Sequence, residues 1–397
     1  MGFLAKASAL FVGLRVTASY HEALQVEQSR EQSLKAARYD IRTTIRMAAS
    51  KIKFEDRFWQ GQFASASYRV RPDIVPRFMT QGSVAYDLLV DPCQSPPQQL
   101  DLDDGMYVNV DYLADGQPAL VARALFTLVE EALQPLCLRR GWRLDTSKDT
   151  CVRVQIDAGS HIDIPIYSAP RDLELDESVA FADAFSTKII AKRAGQIYTR
   201  LPTDQIMLAQ RDGTWQQSDP LKLQDWVEDC VRRYGQDFRR ACRYFKGWRD
   251  YRWDKCCLTS ITIMAAVQIA LEDLKGAHRS MEDDCLIYEI AQRLPEIFKT
   301  DLMNPIYPGQ RVVLNVWTDD QRREVCEAAE CLASDMHAAL RGTGDATLVV
   351  ERLRSIFGSR IPYRPDMVVI APTIAATVAA EKPAKVAAPA VVKSTSG

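Results

Sequence analysis

The order of hydrophobic periods along the chain predicts an α+β fold in two lobes, a mixed sheet with helices followed by a helical unit. Three observations carry this. One long helical stretch precedes short alternating runs bounded by Gly, Pro and Asp up to about Pro220. Beyond Pro220 the apolar residues recur at three- and four-residue spacing, almost without a break. From Ala371 onward the sequence is mostly alanine, valine, proline and lysine with no aromatic residue, too little to offset the entropy of ordering it. Residues 1–220 are therefore assigned to the first lobe, 221–370 to a helical second lobe and 371–397 to a flexible tail.

At the N-terminus a short apolar run from Ala9 to Leu14 is ended by Arg15. It reads as a docking helix, with a signal peptide the weaker alternative. Lys6 stands where a myristoylation signal wants Ser or Thr, and no run of eighteen apolar residues exists to span a membrane. Residues 25–53, rich in helix formers with Leu34, Ile41, Ile45 and Ile52 loosely periodic, predict one long helix. The proline-rich 92–99 stretch is a loop feeding a strand through Asp101. Asp104-Gly105 reads as the turn that ends this strand, with 106–110 its partner. An amphipathic helix is expected over 119–133, closed by Pro135, then strands over 151–156 and 160–166 and a hairpin over 206–217 around Asp212-Gly213. Ser218-Asp219-Pro220 opens the helical region, with helices over 221–233, 237–250, 258–274, 281–294, 320–340 and 346–357.

A formal net charge of −2 argues against a general nucleic-acid-binding protein, although a local basic groove is compatible with it. Ten scattered cysteines without CxxC spacing read as reduced thiols of a cytoplasmic protein, not as a disulfide frame or zinc site.

The chemistry concentrates between Gly82 and Asp163. Along a strand, residues i and i+2 share a face, so Asp101 and Asp103 project together about 7 Å apart at their α-carbons. Asp163, in a second alternating run, would complete an oxygen cage for hard divalent cations. The small turn Gly82-Ser83 would let backbone N–H groups and the Ser83 hydroxyl approach a triphosphate, with Tyr86 one helical turn on. Three acids with substrate phosphates suit two Mg²⁺ ions about 3.5–4 Å apart, which would activate an attacking ribose hydroxyl and steady the departing pyrophosphate. His161, on the same strand face as Asp163, is either a supporting group or a structural histidine, while Asp104 shapes the expected turn. Arg153 is a candidate phosphate contact. The 232–255 stretch holds nine Lys or Arg against three Asp. On a helix Phe238, Cys242, Phe245 and Trp248 would be buried, while Arg239, Arg243 and Lys246 share another face that is either solvated or neutralises the triphosphate.

Taken together, Gln81-Gly82-Ser83-x-x-Tyr86, Asp101-Leu102-Asp103-Asp104-Gly105 and His161-Ile162-Asp163-Ile164-Pro165 resemble the bacterial cGAS/DncV-like nucleotidyltransferases, nearest the cyclic GMP–AMP synthase branch. The Asp212-Gly213-Thr214-Trp215 hairpin leading into Ser218-Asp219-Pro220 and the run Arg243-Tyr244-Phe245-Lys246-x-Trp248-Arg249 are similar too, and the likeness spans roughly residues 30–360. It implies a polymerase-β-like catalytic lobe, a helical lobe closing over nucleotides, and Asp101, Asp103 and Asp163 as metal-binding acids. It further implies Gln81 and Ser83 beside the donor phosphates, and Lys246 with Ser260 in nucleotide contact. The long connection from Ser83 to Asp101 departs from many polymerase-β-like enzymes, so the 92–99 loop is expected to alter access to the cleft. The resemblance also implies ATP and GTP as substrates and a cyclic dinucleotide that activates an effector in CBASS anti-phage signalling. A ubiquitin-transfer-like (E1/E2-like) partner would capture the C-terminal Gly397. Two other classes remain open at this point: a nucleotidyltransferase modifying RNA, protein or a small molecule, and a nucleotide-sensing scaffold. Product analysis separates the first. The second has no need for three clustered carboxylates.

Overall fold

The computed structural model describes residues 2–12, 18–170, 205–218, 220–307 and 309–371; the tail expected from 372 onward lies outside them. The first lobe is a mixed sheet covered on one face by two helices. Its strands are β2 (Arg77–Gln81), β3 (Leu100–Val110), β4 (Arg143–Asp145), β5 (Cys151–Asp157), β6 (Ser160–Pro170), β7 (Met207–Ala209) and β8 (Trp215–Gln217). They run in the order β2-β3-β6-β5-β4, with β7 on β6 and β8 on β7. Strands β3 and β6 are parallel, while β2 and β5 flank them antiparallel. Alternation does the sorting. Leu100, Leu102, Met106 and Val108 of β3, with Ile162, Ile164 and Ile166 of β6, pack under helices α3 (Gln28–Ala49) and α5 (Ala122–Arg140). The intervening positions, Asp101, Asp103, His161 and Asp163, face the other way.

Two expectations are corrected. Asp104-Gly105 is no turn: β3 runs straight through it, because β2 pairs Thr80 with Asp104 and Met79 with Gly105. Asp104 falls on the core face, fully buried, where the Arg42 guanidinium of α3 pairs with it through Nε at 2.7 Å and through Nη2. A buried carboxylate is tolerable only with such a partner. Pro135 does not close α5 either. The helix continues to Arg140 and stops at Gly141 (φ +71°), since Leu136 and Cys137 beyond the proline are buried in the sheet core.

The second lobe comprises α6 (Pro220–Tyr234), α7 (Gln236–Arg252), α8 (Ser260–Asp273), α9 (Asp283–Ala291), α10 (Leu294–Lys299), α11 (Asp319–Leu340) and α12 (Ala346–Phe357). The expected stripe of α7, Phe238, Cys242, Phe245 and Trp248, is buried throughout. Thr318 and Gln321 form a capping box on α11, and Asp345 caps α12. The N-terminal segment also packs here. Strand β1 (Ala5–Lys6) pairs with β9 (Val369–Ile370), and α1 (Ser8–Val12) and α2 (Tyr20–Ala23) bury Leu10, Phe11 and Tyr20 in the helical core. The docking helix is therefore present, but Ala5, Ala7, Leu10, Phe11, Tyr20 and Leu24 lie with the second core, not with the lobe to which their sequence position assigned them.

Candidate active site

The site grows from the ends of three adjacent strands. Gln81 closes β2, and the chain turns at once into a single helical turn, α4 (Gly82–Ala85). Gly82 has φ +66°, and a Cβ there would strike the Asp103 carboxylate. The close approach that this glycine permits is therefore to Asp103. Register places Gln81 opposite Asp103, Asp101 opposite His161, and Asp103 opposite Asp163.

All three sequence-predicted acids lie on one face, but they do not form a uniform cage. One ligand atom each of Asp101, His161 and Asp163 falls within 4.8 Å of the others; Asp103 is outside that group, turned to Gly82. Burial, and then repulsion from Asp101 and Asp163, pushes the Asp103 carboxyl up to about 7. A third anion is the hardest to hold beside two others without a counter-ion. Asp101 is also penalised by burial, yet the adjacent His161, with Arg153 and Lys246 farther off, holds it below the usual carboxylate range. Its side chain is 53% exposed and lines the cleft, whereas Asp163 is only 8% exposed.

Arg153 meets Asp163 fork to fork, both N···O distances 2.6 Å. This corrects its reading as a direct phosphate contact, because β5 aligns Arg153 with Asp163 across the ladder. The pair leaves lone pairs of Asp163 available on the cleft side, since a carboxylate offers about four. His161 is held from behind. Its Nδ1 lies 2.8 Å from Gln99 Oε1, and its Nε2 lies 2.9 Å from Asp101 Oδ1 and 4.0 Å from Asp163 Oδ1.

The opposite wall comes from the helical lobe. A cleft of about 410 Å³ is lined by Ser83, Gln99 and Asp101 on one side and by Lys246, Arg249 and Ser260 on the other. Lys246, 5% exposed on α7, donates to Leu88 O at 2.6 Å and to Ser83 Oγ at 3.2 Å. Burial and the neighbouring Arg249 lower its ammonium to about 8. Arg249 donates to Ser260 Oγ at 3.2 Å, so Ser260 reaches the cleft as part of a lysine–arginine–serine wall. Three other cations of the basic stretch are committed elsewhere, Arg240 to Asp237 and Asp283, and Arg232 and Arg233 to Asp229, whereas Lys255 also lines the cleft.

Two predicted contacts are placed differently. Tyr86 belongs to the helical core and does not line this cleft. Gln81 has its amide held between Tyr107 and Tyr167, whose rings stack 4.7 Å apart. Sequence reasoning did not single out Gln99, which orients His161, and it named Arg249 only as the last residue of a motif, with no role. A glutamine at a loop end and an arginine in a basic helix carry no local signal.

The donor set fits a divalent cation: carboxylate oxygens from two parallel strands, one crowded carboxyl pushed toward neutrality, and a buried imidazole Nε2 without an aligned hydrogen bond.

Comparison with known proteins agrees with this geometry. Residues 76–167 match the family model described as "Cyclic GMP-AMP synthase DncV-like, nucleotidyltransferase domain", and residues 235–370 match "Cyclic GMP-AMP synthase, C-terminal domain". A cyclic GMP-AMP synthase of Vibrio cholerae is 27% identical, over 98% of this chain and 92% of its own length. One from Escherichia coli is 32% identical over 59% of this chain and 55% of its own. Among solved structures, V. cholerae DncV in complex with ATP, GTP and 5MTHFGLU2 superposes with a TM-score of 0.72 at 26% identity, over 89% of this chain and 96% of that one. The same enzyme with the linear intermediate pppA(3′,5′)pG gives 0.72 at 25% identity, over 93% of this chain and 100% of that one.

Proposed function

The chain belongs to the DncV-like nucleotidyltransferases, and from that premise we propose that it joins ATP and GTP into 3′,3′-linked cyclic GMP–AMP. The fold is a polymerase-β-like lobe with a helical lobe, and the protein is an enzyme of nucleotidyl transfer. We assign the strand-rich lobe to catalysis and the lobe after Pro220 to closing over the nucleotides.

One observation carries the reading. Asp101, Asp103 and Asp163 share one face of adjacent parallel strands, and Asp101 lines a cleft whose far wall is Lys246, held on Ser83. In each of two transfers a ribose 3′-hydroxyl oxygen bonds to an α-phosphorus, the α–β bridging bond breaks, and pyrophosphate leaves with the electron pair. Two Mg²⁺ ions held by Asp101, Asp103 and Asp163 would supply Lewis-acid charge for both oxygens. Asp163, braced by Arg153, keeps its orientation and can accept the hydroxyl proton. Lys246 and Arg249 neutralise the triphosphate, Ser83 and the Gly82 turn position it, and Ser260 orients Arg249.

The wider role follows from the family: a cytoplasmic enzyme whose messenger activates an effector during phage infection. Its C-terminal Gly397 would be captured by an E1/E2-like partner. None of the helices among the described residues is long and apolar enough to cross a membrane.

Incubation with ATP, GTP and Mg²⁺ should give a phosphatase-resistant product whose mass matches the cyclic dinucleotide. The double substitution Asp101→Ala, Asp103→Ala should reduce it below detection. A phosphatase-sensitive linear product, or transfer to RNA or protein in place of cyclisation, overturns the proposal.

A further inference from the structure

His161 is a buried polar side chain beside the acids that the proposed reaction leaves unused. It is 6% exposed, and its ring is held at Nδ1. Gln99 donates its amide nitrogen to Ala158 O at 3.0 Å, so only its oxygen remains for His161 Nδ1 at 2.8 Å. An amide oxygen accepts, so Nδ1 must carry the proton. The lone pair of a neutral ring is then on Nε2, facing Asp101 Oδ1 at 2.9 Å and Asp163 Oδ1 at 4.0 Å. Two acceptors sit at that distance only with a proton or a cation between them. No aligned hydrogen bond reaches Nε2, although the atom is fully buried. An imidazole whose far nitrogen donates to a fixed oxygen is the arrangement that metal-binding histidines use.

Resting on the metal-site reading above, we infer that His161 Nε2 is a direct ligand of the cation held by Asp101 and Asp163. The site is thus a mixed nitrogen–oxygen centre that takes Mn²⁺ and Co²⁺ as well as the Mg²⁺ of the proposed reaction, and the imidazole adds affinity for the first two. The chemistry follows from the donors. Mg²⁺ is satisfied by oxygen and gains little from imidazole, whereas Mn²⁺ and, more strongly, Co²⁺ accept nitrogen. Gln99 is the positioning residue, since without it the ring can turn or present its protonated nitrogen.

The test uses the full-length, nucleotide-free chain. Mn²⁺ binding is followed by electron paramagnetic resonance, Co²⁺ by its visible d–d bands, and Mg²⁺ by competition against Mn²⁺. His161→Ala should weaken Mn²⁺ and Co²⁺ binding about tenfold or more while Mg²⁺ affinity stays within about twofold, and the Co²⁺ bands should move toward those of an all-oxygen site. Should His161→Ala not fold, His161→Gln serves, with the same expectation for the Co²⁺ bands. Gln99→Leu keeps the imidazole and should give a smaller shift of the same sign. Equal weakening of all three ions, or none, overturns the inference and leaves His161 as an ion-pair partner of Asp101. Asp101→Ala separates this failure from a deeper one. If it abolishes ion binding while His161→Ala does nothing, only the ligand assignment falls. If the unsubstituted chain binds none of the ions, the metal-site reading falls with it.

Discussion

Two residues show how little freedom the site has. Gly82 meets two demands, a left-handed backbone and the absence of a Cβ where the Asp103 carboxylate lies. Gly116 has a similar φ of +79° but open space around it, so it bears only the first demand. Gly116→Ala should then cost about 1–2 kcal/mol of backbone strain in urea denaturation. Gly82→Ala should cost more and also remove turnover, because Asp103 must move. Equal costs with activity retained would show that the collision is relieved without consequence. Lys246 supplies a pH signature. Its ammonium is lowered to about 8 against 10.5 in the unfolded chain, so between these values the unfolded state holds a proton that the folded state has released. Stability attributable to this group therefore rises with pH through that window. The stability difference between the unsubstituted chain and Lys246→Met should move in favour of lysine from pH 8 to 10.5. Triphosphate affinity should go the other way, falling above about pH 8 as the charge is lost, and Lys246→Met should lack that dependence.

At the scale of elements, the 92–99 loop proves to be a helix cap supplied across the cleft. The last carbonyls of a helix lack intrahelical donors. At the end of α7, Gln94 donates to Asp250 O and Tyr251 O at 3.2 and 3.1 Å, and Gln98 donates to Asp250 O and Trp253 O at 2.8 and 2.6 Å. Replacing both glutamines by leucine orphans those carbonyls. It should cost about 1–3 kcal/mol and raise the KM for nucleotides more than it lowers kcat, because the cap also fixes the position of Lys246 and Arg249. A change in kcat alone would detach the loop from nucleotide binding. The sequence had marked this stretch as a loop from its prolines and expected it to shape access, but a cap formed over 150 residues away has no local signature. The same limit explains the other misreadings. Helix bounds in the second lobe were legible because period, caps and polarity agree there, as at Thr318 and Asp345. Asp104-Gly105 read as a turn because the neutralising Arg42 comes from a distant helix. The three acids were legible from alternation, whereas the place of Asp103 against Gly82, outside the Asp101–His161–Asp163 group, appears only in three dimensions.

Among the described residues two large cores stand out, one beneath the sheet and one within the helices, beside a small cluster of Tyr107, Tyr167, Ile206 and Leu221, and the candidate cleft is lined from both lobes. Ala5, Ala7, Leu10, Phe11, Tyr20 and Leu24 belong to the second, so the helical lobe draws on residues from both before and after the sheet. Phe11 sits edge-on to Tyr20, Tyr244 and Phe357 at 5.9, 5.8 and 5.6 Å, so α1, α2, α7 and α12 meet at one aromatic cluster. The Ala7 N–H donates to Asp284 at 2.6 Å, and the β1–β9 pairing adds a second tie to the segment just before residue 371. Truncating a fully buried phenylalanine costs about 3–5 kcal/mol, and here the cavity would open beside the helix that carries Lys246 and Arg249. Phe11→Ala should therefore unfold the helical lobe first. In hydrogen exchange, protection should fall in α7 and α12 while β3 and β6 keep theirs, because their partners lie in the other core. Activity should decline although Asp101, Asp103 and Asp163 are untouched, since half of the cleft is lost with the lobe. Simultaneous loss of protection in β3 and β6 would show instead that the two cores unfold as one cooperative unit.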